Sequence, residues 1–322
     1  MNIVSRKYRE WTRPAAGGEP VAEKRMRALA MGLRVDSRAR LYFPRREIRL
    51  LRALARRAQA LSGECRSLAP AMEWLNDNAR RMEAYCQQAR AERGGRLPAV
   101  QGLPRVALLA RSLLEGGGAT LTQAGLEGAL LAFDDVQALT MAELWAMAAA
   151  LRIELCHCFI GVAREALAGE EERLAAQRWV DAGAPKGELG GKARGSAFFA
   201  RALQLVSELE MADARQAIER HLVQHDASAE RVIALAHERQ AMERMRMENL
   251  FAAKQLVDSL DWLEVFGRVS RAEQELNRDP SGAYPRMEEA SKAQVRERVR
   301  MLANRLELGE ATVARQAVAA AQ

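Results

Sequence analysis

The stretch SLDWLEVFGRVSRAEQELNRDPSGAYPRM, residues 259–287, joins a helical pattern to an unusually firm stop. Asp279 precedes Pro280, and a residue before proline avoids the α region, so a helix must end there. Gly282 supplies the freedom that a tight turn needs, and Tyr284 follows it before the next helix. The apolar residues before the stop recur near a 3.6-residue period, which predicts one core-facing helix: Leu260, Leu263, Val265, Phe266, Val269 and Leu276.

The composition of the whole chain also favours helices. Only 5% of the 322 residues are aromatic, and alanine, leucine, arginine and glutamate dominate. A chain of this length can bury a sizeable core. We therefore predict an all-α fold, a multi-helix bundle or array with a flexible basic N-terminal arm.

The basic charge is concentrated near the N-terminus. Residues 1–60 contain 16 Lys and Arg against 5 Asp and Glu. From Glu47 the sequence predicts an amphipathic helix whose apolar stripe lies opposite six arginines between Arg45 and Arg57. A solvated arginine face over a core-facing stripe accounts for this pattern, and so does docking on an anionic membrane surface or an acidic partner. Nucleic acid is disfavoured, because the arm lacks interleaved aromatics and the spacing of a zinc finger or basic zipper.

Glycine and proline clusters predict the division of the chain. Residues 1–64 form the basic arm plus the amphipathic helix, 65–180 a helical subdomain, 181–196 a Gly/Pro-rich linker, and 197–322 a second helical subdomain. Apolar periodicity predicts the helices of these parts near residues 71–90, 102–118, 120–131, 140–168, 197–211, 213–224, 228–277, 289–306 and from 309 onward.

Two patterns bear on the compartment. The most apolar region, residues 144–151, is bounded by the charged residues Glu143 and Arg152. It is far shorter than the roughly 20 residues that span a bilayer, so no transmembrane helix is predicted. The N-terminus carries charges where a secretory signal needs an apolar stretch, so we expect a cytoplasmic protein. Four cysteines suit free thiols in a reducing compartment: Cys65, Cys86, Cys156 and Cys158.

Candidate metal ligands occur at two places. Cys156, His157 and Cys158 include good zinc ligands, but residues one or two apart on a helix do not share a face. His221 and His225 share a face, yet the segment lacks the glutamate and the third ligand of a zincin. We expect neither to hold a metal, and we predict no cofactor in this chain.

Catalytic signatures are equally weak. The Gly191-Lys192 pair lacks both the upstream glycine and the Ser or Thr of a phosphate-binding loop. The sequence shows neither the spacing of a Ser/His/Asp or Cys/His nucleophile nor an Asp-x-Asp site for a metal-bound nucleotide sugar. No catalytic residue can be assigned, and whether the chain is an enzyme stays open.

Five segments in one order resemble a known family: AMEWLNDNARRMEAY (71–85), GLPRVALLA (102–110), LTMAELWAMAAALRIEL (139–155), HERQAMERMRMENLFAAKQLVDSLDW (237–262) and RDPSGAYPRM (278–287). Together they look like the helical N-terminal region of cyclic β-1,2-glucan synthases, and the resemblance covers residues 70 to 320. The landmark residues that carry it are Trp74, Glu143, Leu144, Trp145, Asp261, Trp262, Asp279, Pro280, Gly282 and Tyr284. The chain departs from the family pattern directly after Met287.

The resemblance implies a part of a large bacterial membrane enzyme. In that family a cytoplasmic helical region precedes transmembrane helices, a glucosyltransferase domain that uses UDP-glucose with a divalent metal, and a phosphorylase-like domain. We therefore expect a non-catalytic helical module that scaffolds the membrane and glycosyltransferase portions at the inner face of the cell membrane. On this interpretation the landmark residues are structural, and the tryptophans are core residues rather than a platform for sugars.

A second interpretation needs no glucan synthase. The chain could act as an independent helical adaptor that binds a protein partner through its helices. Its basic arm, residues 1–60, would then dock on an anionic membrane surface or on nucleic acid. Binding that weakens as salt rises would favour this second interpretation.

Overall fold

A computed structural model describes residues 21–42, 45–64, 70–91, 95–115, 121–185, 189 and 194–321. Fourteen helices and three short strands lie in these ranges. They are α1 Val21–Gly32, β1 Ser37–Ala39, α2 Arg45–Glu64, α3 Pro70–Ala91, β2 Leu97–Val100, β3 Leu103–Pro104, α4 Arg105–Glu115, α5 Gln123–Asp134, α6 Met141–Asp181, α7 Ser196–Glu208, α8 Ala212–Gln224, α9 Ala229–Ser259, α10 Trp262–Val269, α11 Arg271–Leu276, α12 Ala283–Arg286, α13 Glu289–Leu306 and α14 Glu310–Ala320. The predicted all-α, multi-helix fold is confirmed.

The strands form a small antiparallel sheet that the helical pattern did not predict. Its order is β1-β2-β3, with Ser37 paired to Ala99 and Ala99 paired to Pro104. Gln101 and Gly102 connect β2 to β3, with φ angles of 52° and 77°. Two successive residues with positive φ are typical of the tightest hairpin turns. The predicted helix at 102–118 therefore begins only at Arg105, after β3.

Contacts divide the chain into two compact units. Unit 1 comprises residues 1–43, 89–155 and 252–322, and unit 2 comprises residues 44–88 and 156–251. Each unit joins segments that are distant in the sequence, whereas the division predicted from glycine and proline is consecutive and stays a prediction. The first 20 residues of the predicted arm and most of the linker between 186 and 193 lie outside the described residues, as do Cys65 and the Gly191-Lys192 pair.

The predicted helix at 228–277 is three helices. Asp261 ends the long α9 and starts α10, because its carboxylate accepts hydrogen bonds from the backbone N–H groups of Leu263 and Glu264. Ser270 then separates α10 from α11, since its hydroxyl oxygen accepts the N–H of Glu273. Because the chain starts a new helix at each of these two caps, the apolar residues no longer share one face. Leu263, which was predicted to face the core, is 40% exposed.

The longest helix, α6, is long and apolar enough to cross a membrane by length and composition alone, contrary to the prediction from its flanking charges. In its most apolar 18-residue stretch, however, 67% of the residues are buried inside the protein. Core helices of globular proteins show the same property.

Unit 2 buries the apolar stripe of α2 that the sequence predicted. Ile48, Leu51 and Leu61 are at most 5% exposed, while the six arginines of this helix face solvent. Trp74 on α3 contacts Phe159 and Phe251 edge-to-face, with ring centroids 5.5 Å and 5.8 Å apart. A second apolar cluster joins the end of α6 to α7 and α8 around Trp179 and Phe198.

Candidate functional site

Unit 1 contains a cleft of about 930 Å³ between the first turns of α6, helix α13 and the segments that flank β1 and β2. Small residues make room for it, because Ala142, Ala146 and Ala149 of α6 face Ala293 of α13 across the space. The charged residues of its lining are mainly cationic: Arg38, Arg96, Arg152, Arg296 and Arg300 stand against Glu289 and Glu297. The cleft is therefore a candidate site for an anionic ligand.

Trp145 contributes the aromatic surface of this cleft. Its indole stacks on Phe266, with centroids 4.4 Å apart and planes inclined by 22°. The side chain is nevertheless 44% exposed, so the prediction that Trp145 lies in the core is wrong. The preceding residue, Leu144, is 6% exposed, because adjacent residues of a helix point in different directions and Trp145 rather than Leu144 lines the cleft.

Behind Trp145, a buried ion pair fixes the wall of the cleft. Arg296 of α13 donates two hydrogen bonds to the carboxylate of Glu273 on α11, each 2.8 Å long. The Tyr284 hydroxyl donates a third hydrogen bond of 2.8 Å to Glu273 Oε2. All three side chains are buried. The Arg296 guanidinium carbon also lies 5.0 Å from the centroid of the Phe266 ring.

The pKa values of this cluster follow from its contacts. Burial raises the pKa of Tyr284 far above its usual range, and the hydrogen bond and the negative charge of Glu273 raise it further. Burial by itself would lower the pKa of Arg296, but hydrogen bonds to Glu273 and Glu289 raise it instead. The cluster therefore keeps a neutral phenol and a charged guanidinium across the physiological range.

The other arginines of the cleft differ in their neighbours. Arg152 lies 3.6 Å from Asp258, and Arg300 binds Glu297 on the same helix at 2.8 Å. Arg38 and Arg96 are exposed, and no carboxylate of the described residues lies within ion-pair distance of either. Because Arg38 pairs with Pro98 in the sheet, the β1-β2 pairing brings these two cations to the same rim.

The landmark Glu143 holds a second buried pair in unit 1. Its carboxylate is 0% exposed and accepts hydrogen bonds of 2.8 Å and 2.7 Å from Arg105 of α4. Glu143 also bonds the N–H and the hydroxyl of Thr140, and its own N–H donates to the Thr140 hydroxyl. This reciprocal arrangement is a capping box that starts α6. Arg105 further donates to Gln137 and to the carbonyl of Ala138.

The stop at residues 279–285 is built by landmark residues. Asp279 accepts hydrogen bonds from the backbone N–H groups of Ser281 and Tyr284, at 3.0 Å and 2.9 Å. These bonds, that of Tyr284 first, lower the pKa of Asp279 below its usual value. Gly282 has a φ of 61°, which side chains rarely adopt, and Pro280 is exposed. Within the predicted turn, the chain makes the one-turn helix α12.

The landmark residue Trp262 is held by a hydrogen bond to a neighbouring carbonyl. Trp262 is half-buried, and its indole N–H donates to the carbonyl of Val257 at 3.0 Å. Nine of the ten landmark residues belong to unit 1, while Trp74 belongs to unit 2. Among the ten, Trp145 is the one that lines the cleft of unit 1. The structural role expected of the landmark residues stays a prediction.

The candidate metal ligands lie in unit 2. Cys156 is buried and hydrogen-bonded to Cys86, and burial raises the pKa of its thiol. His221 stacks on Phe199, and burial, followed by the charges of His225 and Arg194, lowers its pKa. Within the described ranges, no three His, Cys, Asp or Glu side chains converge as metal ligands would. Three cysteines there are free thiols, namely Cys86, Cys156 and Cys158.

Unit 2 has a smaller cavity of about 530 Å³ beside α7 and α9. Two buried carboxylates line it, and each pairs with an arginine on its own helix: Glu170 with Arg173, and Glu243 with Arg239. Burial raises the pKa of Glu243 despite the hydrogen bond from Arg239. Because its two buried carboxylates are paired with arginines, they offer less to a charged ligand than the arginines of the cleft in unit 1.

Sequence reasoning missed the buried pairs and the cleft. The Thr140-x-x-Glu143 and Ser270-x-x-Glu273 spacings are recognisable helix-start signals, so the position of both glutamates at a helix start could have been predicted. Nothing local identifies Arg105 or Arg296 as their partners, which lie 38 and 23 residues away.

No protein-family model matches the chain, and no curated protein matches it significantly.

Proposed function

We propose that the chain is a non-catalytic helical module that scaffolds a membrane-bound glucosyltransferase of the cyclic β-1,2-glucan synthase kind. On this proposal its partners are the membrane and glycosyltransferase portions of such an enzyme. It works in the cytoplasm at the inner face of the membrane, and it needs no cofactor of its own.

One observation carries the proposal. Several of the residues that carry the resemblance fix helix ends or buried polar contacts in unit 1: Glu143 caps α6 and binds Arg105, Asp261 caps α10, and Tyr284 binds Glu273. A scaffold must hold its docking surface in one shape. Fully hydrogen-bonded buried polar groups favour a single arrangement over its competitors, which suits that task.

A binding measurement tests the proposal. The membrane and glucosyltransferase portions of a cyclic β-1,2-glucan synthase, without their own helical region, are immobilised in lipid nanodiscs and exposed to the purified chain. We expect saturable binding with a Kd below about 10 µM, in the range of specific but reversible protein pairs. Glu273→Leu should weaken this binding, whereas Glu264→Leu, which alters an exposed residue of α10, should not. Equal retention on empty nanodiscs would rule the proposal out.

A second candidate function, an adaptor that docks on an anionic membrane, is favoured by the exposed face of α2. Arg52 and Arg57 pair with Glu83 and Glu171, but four arginines have no ion pair with a described carboxylate: Arg45, Arg46, Arg49 and Arg56. Since the apolar stripe of α2 is buried, contact would be electrostatic rather than by insertion.

Vesicle co-sedimentation tests this second function. Phosphatidylserine vesicles should retain the chain at low salt, and Arg46→Glu combined with Arg49→Glu should reduce retention, since each basic residue near such a surface contributes roughly 1 kcal/mol. Retention that is unaffected by these changes would exclude α2 as the membrane contact.

A further inference from the structure

We propose that the cleft of unit 1 binds a small organic phosphate, with its phosphate groups on the arginine rim and its ring on Trp145. The proposal is independent of the scaffold function, because it concerns a site that a scaffold does not require. It takes its ligand class from three properties of the cleft: its size, its charge and its exposed aromatic surface.

The size fits one small molecule. Ligand sites in proteins occupy roughly 300–1,000 Å³, and the cleft has about 930 Å³. The alanines of α6 and Ala293 of α13 leave this space open, and both the rim arginines and the Trp145 indole line it.

The mainly cationic lining of the cleft favours an anionic ligand. Arg96 lies on the rim without a described carboxylate within ion-pair distance, and Arg38 beside it has only a longer-range electrostatic interaction with Glu310. Arg300 pairs with Glu297, and its side chain is 40% exposed. Guanidinium groups bind phosphate oxygens with two parallel hydrogen bonds, which makes arginine the preferred cation for phosphate recognition. Arg296 is already saturated by Glu273 and Glu289, so it shapes the wall instead of binding the ligand.

The exposed indole of Trp145 favours a ligand that contains a ring. Phe266 stacks on one face of the Trp145 indole, and Trp145, which is 44% exposed, lines the cleft. Both nucleobases and the apolar faces of sugars stack on indole rings, and stacking adds affinity that a bare phosphate cannot gain. The ligand is therefore a ring-bearing phosphate ester, either a nucleotide or a sugar phosphate.

Titration calorimetry with three probes tests the proposal. Adenosine diphosphate carries a base, glucose 1,6-bisphosphate carries only a sugar, and inorganic pyrophosphate carries no ring. We expect at least one ring-bearing probe to bind with a Kd below about 1 mM, more tightly than pyrophosphate. If adenosine diphosphate binds more tightly, the ligand is a nucleotide; if glucose 1,6-bisphosphate binds more tightly, it is a sugar phosphate. Failure of both to bind below about 1 mM would overturn the proposal, as would pyrophosphate binding equally tightly.

Variants place the binding in the cleft. Trp145→Ala should weaken the ring-bearing probe about tenfold and leave pyrophosphate unchanged, while Trp145→Phe keeps most of the affinity. Arg96→Gln should weaken all three probes, and Arg49→Gln, an exposed arginine of unit 2, should weaken none. Binding that neither Trp145→Ala nor Arg96→Gln changes would refute the assignment.

A second pair of variants avoids any risk to folding. Ala293 is exposed on α13 and lines the cleft, so a longer side chain there meets solvent and ligand but no core. Ala293→Glu adds a negative charge that should repel every phosphate probe, whereas Ala293→Gln adds the same bulk without charge. Equal affinities for these two variants would contradict the electrostatic part of the proposal.

Discussion

The buried cluster of Glu273, Arg296 and Tyr284 gives the sharpest test of how unit 1 is held together. In Glu273→Leu, Arg296 loses both 2.8 Å hydrogen bonds and Tyr284 loses its acceptor, while both stay buried. Removing one partner of a buried ion pair costs about 3–5 kcal/mol, and we expect a loss near the lower end because Arg296 keeps its contact with Glu289. At roughly 2–4 °C per kcal/mol for a body of this size, the melting temperature of unit 1 should fall by about 10 °C.

The decisive comparison is with a triple variant. Replacing the whole cluster by apolar residues, Glu273→Leu with Arg296→Met and Tyr284→Phe, leaves no polar group of the three unpaired. Apolar replacement of a complete buried ion pair is often nearly neutral, so the triple variant should be more stable than Glu273→Leu alone. Calorimetry on the full chain measures this, since it resolves separate transitions of the two units if they occur.

An exposed pair provides the control for this experiment. Glu264 of α10 binds Arg268, and both side chains are about half exposed. Glu264→Leu should change stability by less than about 1 kcal/mol, because solvent screens exposed ion pairs. If the costs of the three single changes simply add in the triple variant, the three residues do not act as one cluster and the reasoning fails.

Three further outcomes are expected. Gly282→Ala should lower the free energy of unfolding in urea by about 1 kcal/mol, because the backbone φ is 61° there. Gly267→Ala inside α10 should leave this free energy unchanged or raise it. A loss of stability at both sites would contradict the argument. Above the ordinary aspartate pKa of 3.8, the parent should keep its full stability advantage over Asp279→Ala. Because the folded carboxylate has a lowered pKa, this advantage should shrink as pH falls below 3.8 and through the folded pKa; an advantage that does not shrink on acidification would refute the role of the charge. Trp262→Ala should cost about 2 kcal/mol, less than a core tryptophan, because Trp262 is only half-buried; a loss above about 4 kcal/mol would show that its burial matters more.

Much of the helical organisation could be predicted because its signals are local. The segments predicted at 213–224 and 289–306 correspond to α8 and α13 within one residue at each end. Apolar period and helix-breaking residues operate over one or two turns, so they can be read from a single sequence. The stop at Asp279 and Pro280 was predicted for the same reason, and it is where the chain turns.

The parts that were missed depend on contacts between distant segments. The sheet pairs residues 37–39 with 97–99, and three-residue strands leave too short an alternation to recognise. The partial exposure of Trp145 could not be predicted either, because one face of its indole is covered by Phe266, which is 121 positions later in the chain. Arg296 has many glutamates near it in sequence, and only the fold selects Glu273.

The central claim, that the chain supports a glucosyltransferase, is tested most directly by glucan synthesis. Membranes that contain the membrane and transferase portions of a cyclic β-1,2-glucan synthase without their helical region are supplied with UDP-glucose, with and without the purified chain. We predict that the chain raises the yield of β-1,2-glucan, that Glu264→Leu does so equally and Glu273→Leu does not, and that the chain alone forms no glucan. An unchanged yield with the folded parent chain would contradict the scaffold function.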